Sequence, residues 1–338
     1  MRCIICDQER PESEEHIFPL AIGGCLATPR VCGACNSKLG ARVDAPLVDH
    51  LAIVMRREEL KIAGRGSVPS GFDRVLGGRS VLVRDQSHQL QTRIDPRTNT
   101  LDIRTIPNIS KVTLPDGRVA DQLRMDVRDI SKLGEIVRKF RARRGLRPLT
   151  PAELDKLIAD AQANAIENIN PEVIVNIRVD PIGFMKCLVK ISYELAFSWL
   201  GEDYLDDPIA QKTREYLLKI MRDKDIIYPT LPMMGTISFD LIEPLKMWSD
   251  NENLHIACAT LCQGKIVIYL KVFNIFYAAL VVTDAAHKYL TMGLSDSKLR
   301  FLAIDPVAGA YAESSLIEEM GRIASIMLGR APNPAPPH

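Results

Sequence analysis

The chain has 338 residues, of which 46% are apolar, so it can bury a full core and is long enough for two or three domains. Its 43 Lys and Arg side chains against 42 Asp and Glu give a formal net charge of +1, which excludes a global electrostatic attraction to nucleic acid or to anionic membrane. Any contact with nucleic acid must come from local patches.

The N-terminal residues and the cysteines predict a cytoplasmic protein. Met1, Arg2 and Cys3 lead directly into a cysteine motif, which leaves no room for the apolar core of a signal peptide. The long apolar run over residues 266–282 is interrupted by polar residues and rich in β-branched and aromatic ones, as in buried strands rather than a membrane helix. Eight cysteines, four of them in close pairs, indicate a reducing compartment and a metal rather than disulfides.

The first predicted segment, residues 1–63, consists of a cysteine motif, a loop, a second cysteine motif and a helix. Leu47, Leu51, Val54 and Met55 have a helical spacing. Residues 64–129 then alternate in short apolar and polar runs, with a hairpin signal at Pro115-Asp116-Gly117, and predict a small antiparallel sheet.

Residues 130–330 predict an α+β domain of regulatory, partner-binding or oligomerisation type. Thr150 and Pro151 are a typical helix start. Helices are expected over residues 130–144, 151–168, 184–200, 208–221 and 314–328, and strands over 170–180, 235–242, 254–261 and 265–282. Residues 331–338 are too rich in proline to fold and are predicted to be disordered. The fold class is therefore α+β.

Two C-x2-C pairs predict a structural zinc site. Cys3 with Cys6, and Cys32 with Cys35, supply the four thiolates of a tetrahedral zinc. Because four thiolates leave no open position for water or substrate, this zinc would stabilise the fold rather than catalyse a reaction. The alternative is that the cysteines are buried as small apolar residues.

The segment between the pairs reads EHIFPLAIGG, and the second pair lies in VCGACNSKLG. Over about residues 1–60 this pattern resembles the HNH endonuclease family, whose ββα-metal core is often held by a four-cysteine zinc. The resemblance implies a small N-terminal ββα-metal or zinc-ribbon domain that is followed by the larger mixed α+β domain. It also implies metal-dependent hydrolysis of phosphodiester bonds. Gly23 and Gly24 would let the loop bend around a phosphate.

Five polar residues of this segment are candidates for catalysis. His16 suits the general base, because a histidine titrates near neutral pH. Glu15, Asn36 and Asp44 offer the oxygen ligands that a catalytic Mg²⁺ or Mn²⁺ prefers, and Asn36 either binds the metal or orients the base. Asp44 stands near the usual place of the third histidine of the family name. It could instead cap a helix, and His50 is an alternative third histidine.

Basic residues in two places are candidates for binding nucleic acid. Lys38 and Arg42 follow the second cysteine pair and could contact the phosphate backbone. The run RKFRARRGLR is strongly basic and could follow a phosphate backbone, or it could be a solvated helix end. Its candidate residues are Arg138, Lys139, Arg141, Arg143 and Arg144.

The sequence thus predicts an HNH endonuclease that cuts DNA, with RNA kept open as a substrate. Candidate partners are a regulatory protein, a nucleotide signal, a guide complex or a second copy of the chain, and no membrane is expected. A triggered effector in defence against phage or plasmids is one form of this hypothesis. The alternative is a catalytically inactive zinc-ribbon protein that binds nucleic acid or acts as a scaffold.

Overall fold

A computed structural model describes residues 1–71, 77–95, 98, 100–165, 172–175, 183–223 and 252–327. Helices and strands are mixed along the chain, which confirms the α+β class. The predicted strand over residues 235–242 and the predicted disorder of residues 331–338 lie outside the described residues.

The chain divides into two compact units. Unit 1 combines residues 1–70 with residues 179–338, and unit 2 is the intervening stretch, residues 71–178. This division differs from the predicted segments, which placed residues 64–129 and 130–330 in separate domains. In the structure, the helices after residue 130 belong with the strands before them, and the C-terminal part belongs with the N-terminal segment.

The N-terminal segment of unit 1 is an antiparallel hairpin followed by helices. Its described elements are β1 Glu12–His16, β2 Ala27–Cys32, α1 Gly33–Leu39, a π-helical segment Gly40–Asp44, α2 Ala45–Val48 and α3 Leu51–Glu59. Glu12 pairs with Cys32 and His16 pairs with Ala27, with an irregularity between Ser13 and Glu15. The hairpin therefore brings the end of β1 beside the start of β2, while α1 begins directly after Cys32.

In the C-terminal part of unit 1, the described residues form three α-helices that pack with a five-stranded antiparallel sheet. The strand order of this sheet is β11-β10-β9-β12-β13. Its elements are α6 Met185–Leu200, α7 Pro208–Arg222, β9 His255–Cys262, β10 Lys265–Val272, β11 Phe276–Thr283, β12 Arg300–Asp305, β13 Ala310–Ser315 and α8 Leu316–Met327. Fifteen of the sixteen residues of α6 are buried, as expected for a helix that is enclosed on all sides.

The two parts of unit 1 share one hydrophobic core. Buried apolar side chains from residues 3–62 and from residues 185–316 form a single cluster. The hydroxyl of Tyr193 in α6 donates to the carbonyl of Ile4, at 2.6 Å. A side chain at Gly23 would meet Pro306 at 2.3 Å, and the backbone of Gly23 has a φ of +87°. Close packing and backbone conformation therefore explain this glycine, where the sequence suggested a loop that bends around a phosphate.

Unit 2 contains two small antiparallel sheets and two helices. A four-stranded sheet has the order β5-β4-β3-β8, and β6 pairs with β7. Its elements are β3 Gly78–Leu82, β4 Gln89–Asp95, β5 Thr100–Thr105, β6 Asn108–Thr113, β7 Val119–Arg124, α4 Leu133–Arg143, α5 Pro151–Ala163 and β8 Val173–Val175. The helix start predicted at Thr150 is confirmed, because Thr150 and Glu153 form a capping box.

None of the described helices is both long and apolar enough to cross a membrane.

Candidate functional site

The four paired cysteines come together as the sequence predicts. The sulfur atoms of Cys3, Cys6, Cys32 and Cys35 all lie within 4.8 Å of one another. The sulfurs of Cys6 and Cys32 are 3.9 Å apart, close to the separation of about 3.8 Å that tetrahedral geometry gives two thiolates on one zinc. A hydrogen bond from the Cys35 thiol lowers the pKa of Cys3 to about 4. The cluster fits a structural zinc.

His16 is the last residue of β1 and pairs with Ala27, the first residue of β2, at the loop end of the hairpin. Its side chain is half-buried, and within the described part of the chain its imidazole has no hydrogen-bond partner. Burial lowers the pKa of His16 from its ordinary value, Glu14 raises it, and Arg65 and Lys190 lower it further. The lowered pKa favours the neutral ring, which can accept a proton.

Asn36 fixes the main chain that carries His16. Its Nδ2 atom donates to the carbonyl of Glu14 at 2.7 Å and to the Ser13 hydroxyl at 2.8 Å. Both partners lie in β1, one and two residues before the Glu15-His16 pair. The amide of Asn36 therefore ties α1 to the strand that holds the candidate base.

Glu15 points the other way, into a buried cluster of charged groups. The cluster, called the Lys190 cluster below, consists of Glu15, Asp44, Cys187, Lys190 and Glu194. The Lys190 ammonium lies 2.5 Å from Oε1 of Glu15, 3.4 Å from Oε2 of Glu194 and 3.6 Å from Oδ2 of Asp44. The Cys187 thiol donates to Asp44 at 3.4 Å. Taken as whole residues, Glu15, Asp44, Lys190 and Glu194 are between 0% and 8% exposed, so solvent hardly screens the charges in the cluster.

The carboxyl groups of the cluster stabilise the charged form of Lys190. Burial alone lowers the pKa of Lys190, but Asp44, Glu194 and Glu15 more than offset it, and the net pKa is raised well above the ordinary value. Burial raises the pKa of Glu194 and of Glu15, because a carboxylate loses hydration in the interior. Lys190 therefore stays protonated in the folded protein.

The comparisons with known proteins bear on these first residues. Residues 3–52 match the model of the HNH endonuclease family. The match includes all four zinc-site cysteines, His16, Asn36 and Asp44, and it ends before the larger remaining part of the chain, which stays unassigned. No curated protein matches the chain, and no solved structure matches it either. For this segment, the match suggests a metal-dependent nuclease with a nucleic-acid substrate.

The predicted ligands of the HNH catalytic metal do not surround an open site. Glu15 and Asp44 both face the Lys190 ammonium, and Asn36 uses its amide nitrogen on β1. In the described ranges, the four cysteines are the only group of three or more Cys, His, Asp or Glu side chains whose ligand atoms lie close enough to share an ion. As the structure has them, Glu15, Asn36 and Asp44 do not fit a divalent cation.

The two alternatives for the third HNH residue also have definite places. Asp44 precedes α2 but makes no capping hydrogen bond with its side chain. His50 does cap a helix, since its Nδ1 accepts from the backbone of Ala52 at 3.3 Å. Its ring meets Phe184 and Phe276 edge-on, with centroids 6.2 and 4.9 Å apart. His50 therefore stabilises α3 and an aromatic contact rather than the Lys190 cluster.

The basic residues of the HNH segment differ in what they contact. Lys38 is exposed, with no hydrogen bond or ion pair to the rest of the described chain. Arg42 donates to the carbonyl of Met221 at the end of α7, at 2.7 Å. Arg65 is exposed and acts electrostatically on both His16 and Glu15. Lys38 and Arg65 can therefore meet a phosphate, whereas Arg42 links two elements of unit 1.

The basic helix α4 of unit 2 uses most of its charges internally. Lys139 pairs with Glu135 at 2.6 Å, Arg144 pairs with Asp121 at 2.9 Å, and Arg141 donates to a backbone carbonyl. The candidate residues that make no hydrogen bond or ion pair within the described chain are Arg138 and Arg143. The predicted basic surface therefore offers less unpaired positive charge to a phosphate than its six cations in ten residues suggest.

Sequence reasoning missed Lys190 and Arg65. Lys190 had a detectable signal, because Lys190 and Glu194 stand four residues apart in a strongly apolar helix, where a buried charge needs partners. Arg65 had none. It is an exposed arginine in a loop, and only the close approach of Gly64 to Ala21, at 2.8 Å from an added Cβ, fixes that loop beside the HNH segment.

Proposed function

We propose that the protein is an endonuclease that hydrolyses phosphodiester bonds in DNA with His16 as its general base. The single observation that carries the proposal is the His16 imidazole, which is half-buried and free of hydrogen-bond partners among the described residues, within the segment that matches the HNH family model. Burial lowers its pKa, which favours the neutral form. A neutral imidazole with an available nitrogen is what a base needs to take a proton from water.

In this proposal, His16 accepts a proton from a water molecule that attacks the scissile phosphorus. Asn36 acts as a positioning residue, since its two hydrogen bonds to β1 hold the main chain before His16. Arg65 and Lys38 supply positive charge to the phosphate backbone, which fixes the register of the nucleic acid without reading its sequence. The pairing of most cations in α4 leaves Arg138 and Arg143 as the candidate contacts from unit 2.

Three finer parts of the hypothesis stay predictions. Mg²⁺ or Mn²⁺ is the predicted catalytic cofactor, as the family is metal-dependent. DNA is preferred to RNA by the resemblance alone. The larger part of the chain is proposed to regulate the nuclease or to bind a partner, including in defence against phage or plasmids, and its described residues carry no motif that identifies the trigger.

The test is nicking of supercoiled plasmid by the zinc-loaded full chain, with and without Mg²⁺ or Mn²⁺. His16→Ala should lower the cleavage rate at least a hundredfold, roughly the contribution of a general base. Its zinc content and melting temperature should stay those of the wild type, because His16 is not a zinc ligand. His287→Ala is the matched control, since His287 is an exposed histidine of the same unit.

Full cleavage by His16→Ala, in a preparation free of other nucleases, would exclude His16 as the base. If the wild type binds plasmid and RNA but cleaves neither under any metal condition, the proposal fails and the inactive zinc-ribbon binding protein takes its place.

A further inference from the structure

The donors of the Lys190 ammonium are fully used. An ammonium has three N–H groups. Those of Lys190 reach Oε1 of Glu15 at 2.5 Å, the carbonyl of His16 at 2.7 Å and the carbonyl of Ile17 at 3.3 Å. Carboxyl oxygens of Asp44 and Glu194 lie slightly farther from the same nitrogen, at 3.6 and 3.4 Å.

The cluster is closed off from the solvent that a hydrated ion would bring with it. Mg²⁺ keeps several of its waters in protein sites and requires octahedral geometry. The side chains of Lys190 and Glu194 are fully enclosed, and those of Glu15 and Asp44 are 4% and 11% exposed. A divalent cation at Glu15 and Asp44 would also stand beside a buried ammonium, and like charges at that distance repel strongly in the interior.

We propose that the Lys190 ammonium, and not a divalent cation, is the permanent counter-ion of Glu15 and Asp44. Lys190 is then also a positioning residue, because it holds the carbonyl of His16 and the carboxylate next to it in the chain. The inference rests on the proposed function only in treating His16 as the catalytic end of that strand.

The first experiment measures Mn²⁺ binding by electron paramagnetic resonance on the zinc-loaded full chain. Glu15→Gln and Asp44→Asn should change the dissociation constant for Mn²⁺ by less than about twofold, the usual scatter of such contributions. Glu12→Gln is the matched control, the same change at an exposed position of the same strand. A tenfold or greater weakening of Mn²⁺ binding in Glu15→Gln or Asp44→Asn, but not in Glu12→Gln, would overturn the proposal. Absence of Mn²⁺ binding by the wild type supports it.

The second experiment tests the ion pair itself by thermal unfolding. Lys190→Met should lower the melting temperature by about 10 °C, because it leaves buried carboxylates without a partner. Glu15→Gln should cost much less in the Lys190→Met background than in the wild type, since the pair is already broken. Effects that simply add would contradict a direct pairing.

The steady-state kinetics of Lys190 variants test whether Lys190 positions His16. Lys190→Arg keeps the cation and should recover part of both the melting temperature and kcat, whereas Lys190→Met should lose kcat with little change in KM. Mn²⁺ binding and melting do not depend on cleavage, so they decide the role of Lys190 even if His16→Ala shows that the proposed function is wrong.

Discussion

At His16, charged neighbours act on the pKa of the imidazole in opposite directions. Glu14 stabilises the protonated ring, while Arg65 destabilises it, and burial also favours the neutral form. The sum is a pKa below the ordinary value of 6.5. A base with a lowered pKa keeps its accepting nitrogen at mildly acid pH.

The first prediction is a pH profile of cleavage. The rate should rise with pH and reach half its limit below pH 6.5, because only the neutral imidazole accepts a proton. Arg65→Gln should move this midpoint to higher pH and Glu14→Gln should move it to lower pH. The measurement is kcat/KM for plasmid nicking between pH 5 and 8. Shifts of the same sign in both variants would contradict the electrostatic account.

His255 is a second histidine whose environment fixes its charge. Its Nδ1 accepts from the backbone of Phe273 at 3.2 Å, which places the proton on Nε2, and Nε2 donates to the carbonyl of Ile22 at 2.8 Å. The ring also stacks on Phe18, with centroids 5.5 Å apart. Complete burial lowers the pKa of His255 to about 4.

The second prediction is a loss of stability in acid that depends on His255. The unfolded chain takes up a proton near pH 6.5 and the folded chain only near 4, so stabilisation is fully present above 6.5 and is lost as the pH falls towards 4. The loss is about 3 kcal/mol. His255→Gln cannot titrate, so its deficit at pH 7 should shrink by pH 4.5. Urea unfolding measures this, with His287→Gln as the control, and an unchanged pH slope in His255→Gln would exclude the assignment.

What the sequence reveals at the scale of single residues depends on distance along the chain. The zinc cysteines are predictable, because paired spacing encodes two ligands at a time and chemistry joins the pairs. The partner of Glu15 is not, because Lys190 lies 175 residues later and no local pattern brings α6 to β1. The sequence alone therefore suggests that Glu15 is available to bind a metal, and it gives no sign that the Lys190 ammonium pairs with Glu15.

At the scale of elements, the pattern of apolar residues predicted several helices and strands of the C-terminal part of unit 1. The helices expected over residues 184–200 and 208–221 occur as α6 Met185–Leu200 and α7 Pro208–Arg222. The strands expected over residues 254–261 and 265–282 occur as β9, β10 and β11. The π-helical segment Gly40–Asp44, which aims Asp44 at Lys190, has no sequence signal, because it differs from an α-helix by a single hydrogen-bond register.

The zinc site ties three of these elements together, since its cysteines come from the first turn, the end of β2 and the start of α1. The third prediction is that the wild type holds about one zinc per chain and that Cys32→Ser loses it. Hydrogen exchange should then accelerate in β1 and β2 and also in α6, because they share a core.

Cys262→Ser is the control for the zinc prediction, because Cys262 is exposed and free. Retention of zinc by Cys32→Ser, measured by elemental analysis, would exclude the site. Normal exchange in α6 after zinc loss would show that the two parts of unit 1 fold separately.

At the scale of the whole molecule, unit 2 interrupts unit 1. The sequence suggested an N-terminal nuclease followed by separate domains, since composition changes near residue 64. Composition cannot reveal that residues after 179 return to cover the first segment, because such returns depend on contacts between distant parts of the chain. Ile4, Leu39 and Val43 are fully buried in that joint core.

The fourth prediction is that residues 1–70 alone bind zinc but do not fold cooperatively. Without α6 and α7, their apolar surface is exposed, so the fragment should bind a hydrophobic dye and lack a sharp melting transition. Co-expression with residues 179–338 should restore a stable complex that purifies as one species. A fragment that melts as sharply as the full chain would contradict the joint core.

Because unit 2 lies between the two parts of unit 1 in the sequence, the parts of unit 1 are synthesised at different times. The cysteines and His16 emerge first, but α6, which covers them, is made only after the whole of unit 2, on the order of ten seconds later at usual rates of translation. During that delay zinc is the main force that can hold the first segment together. Unit 1 is therefore complete only after residues 179–338 have been made.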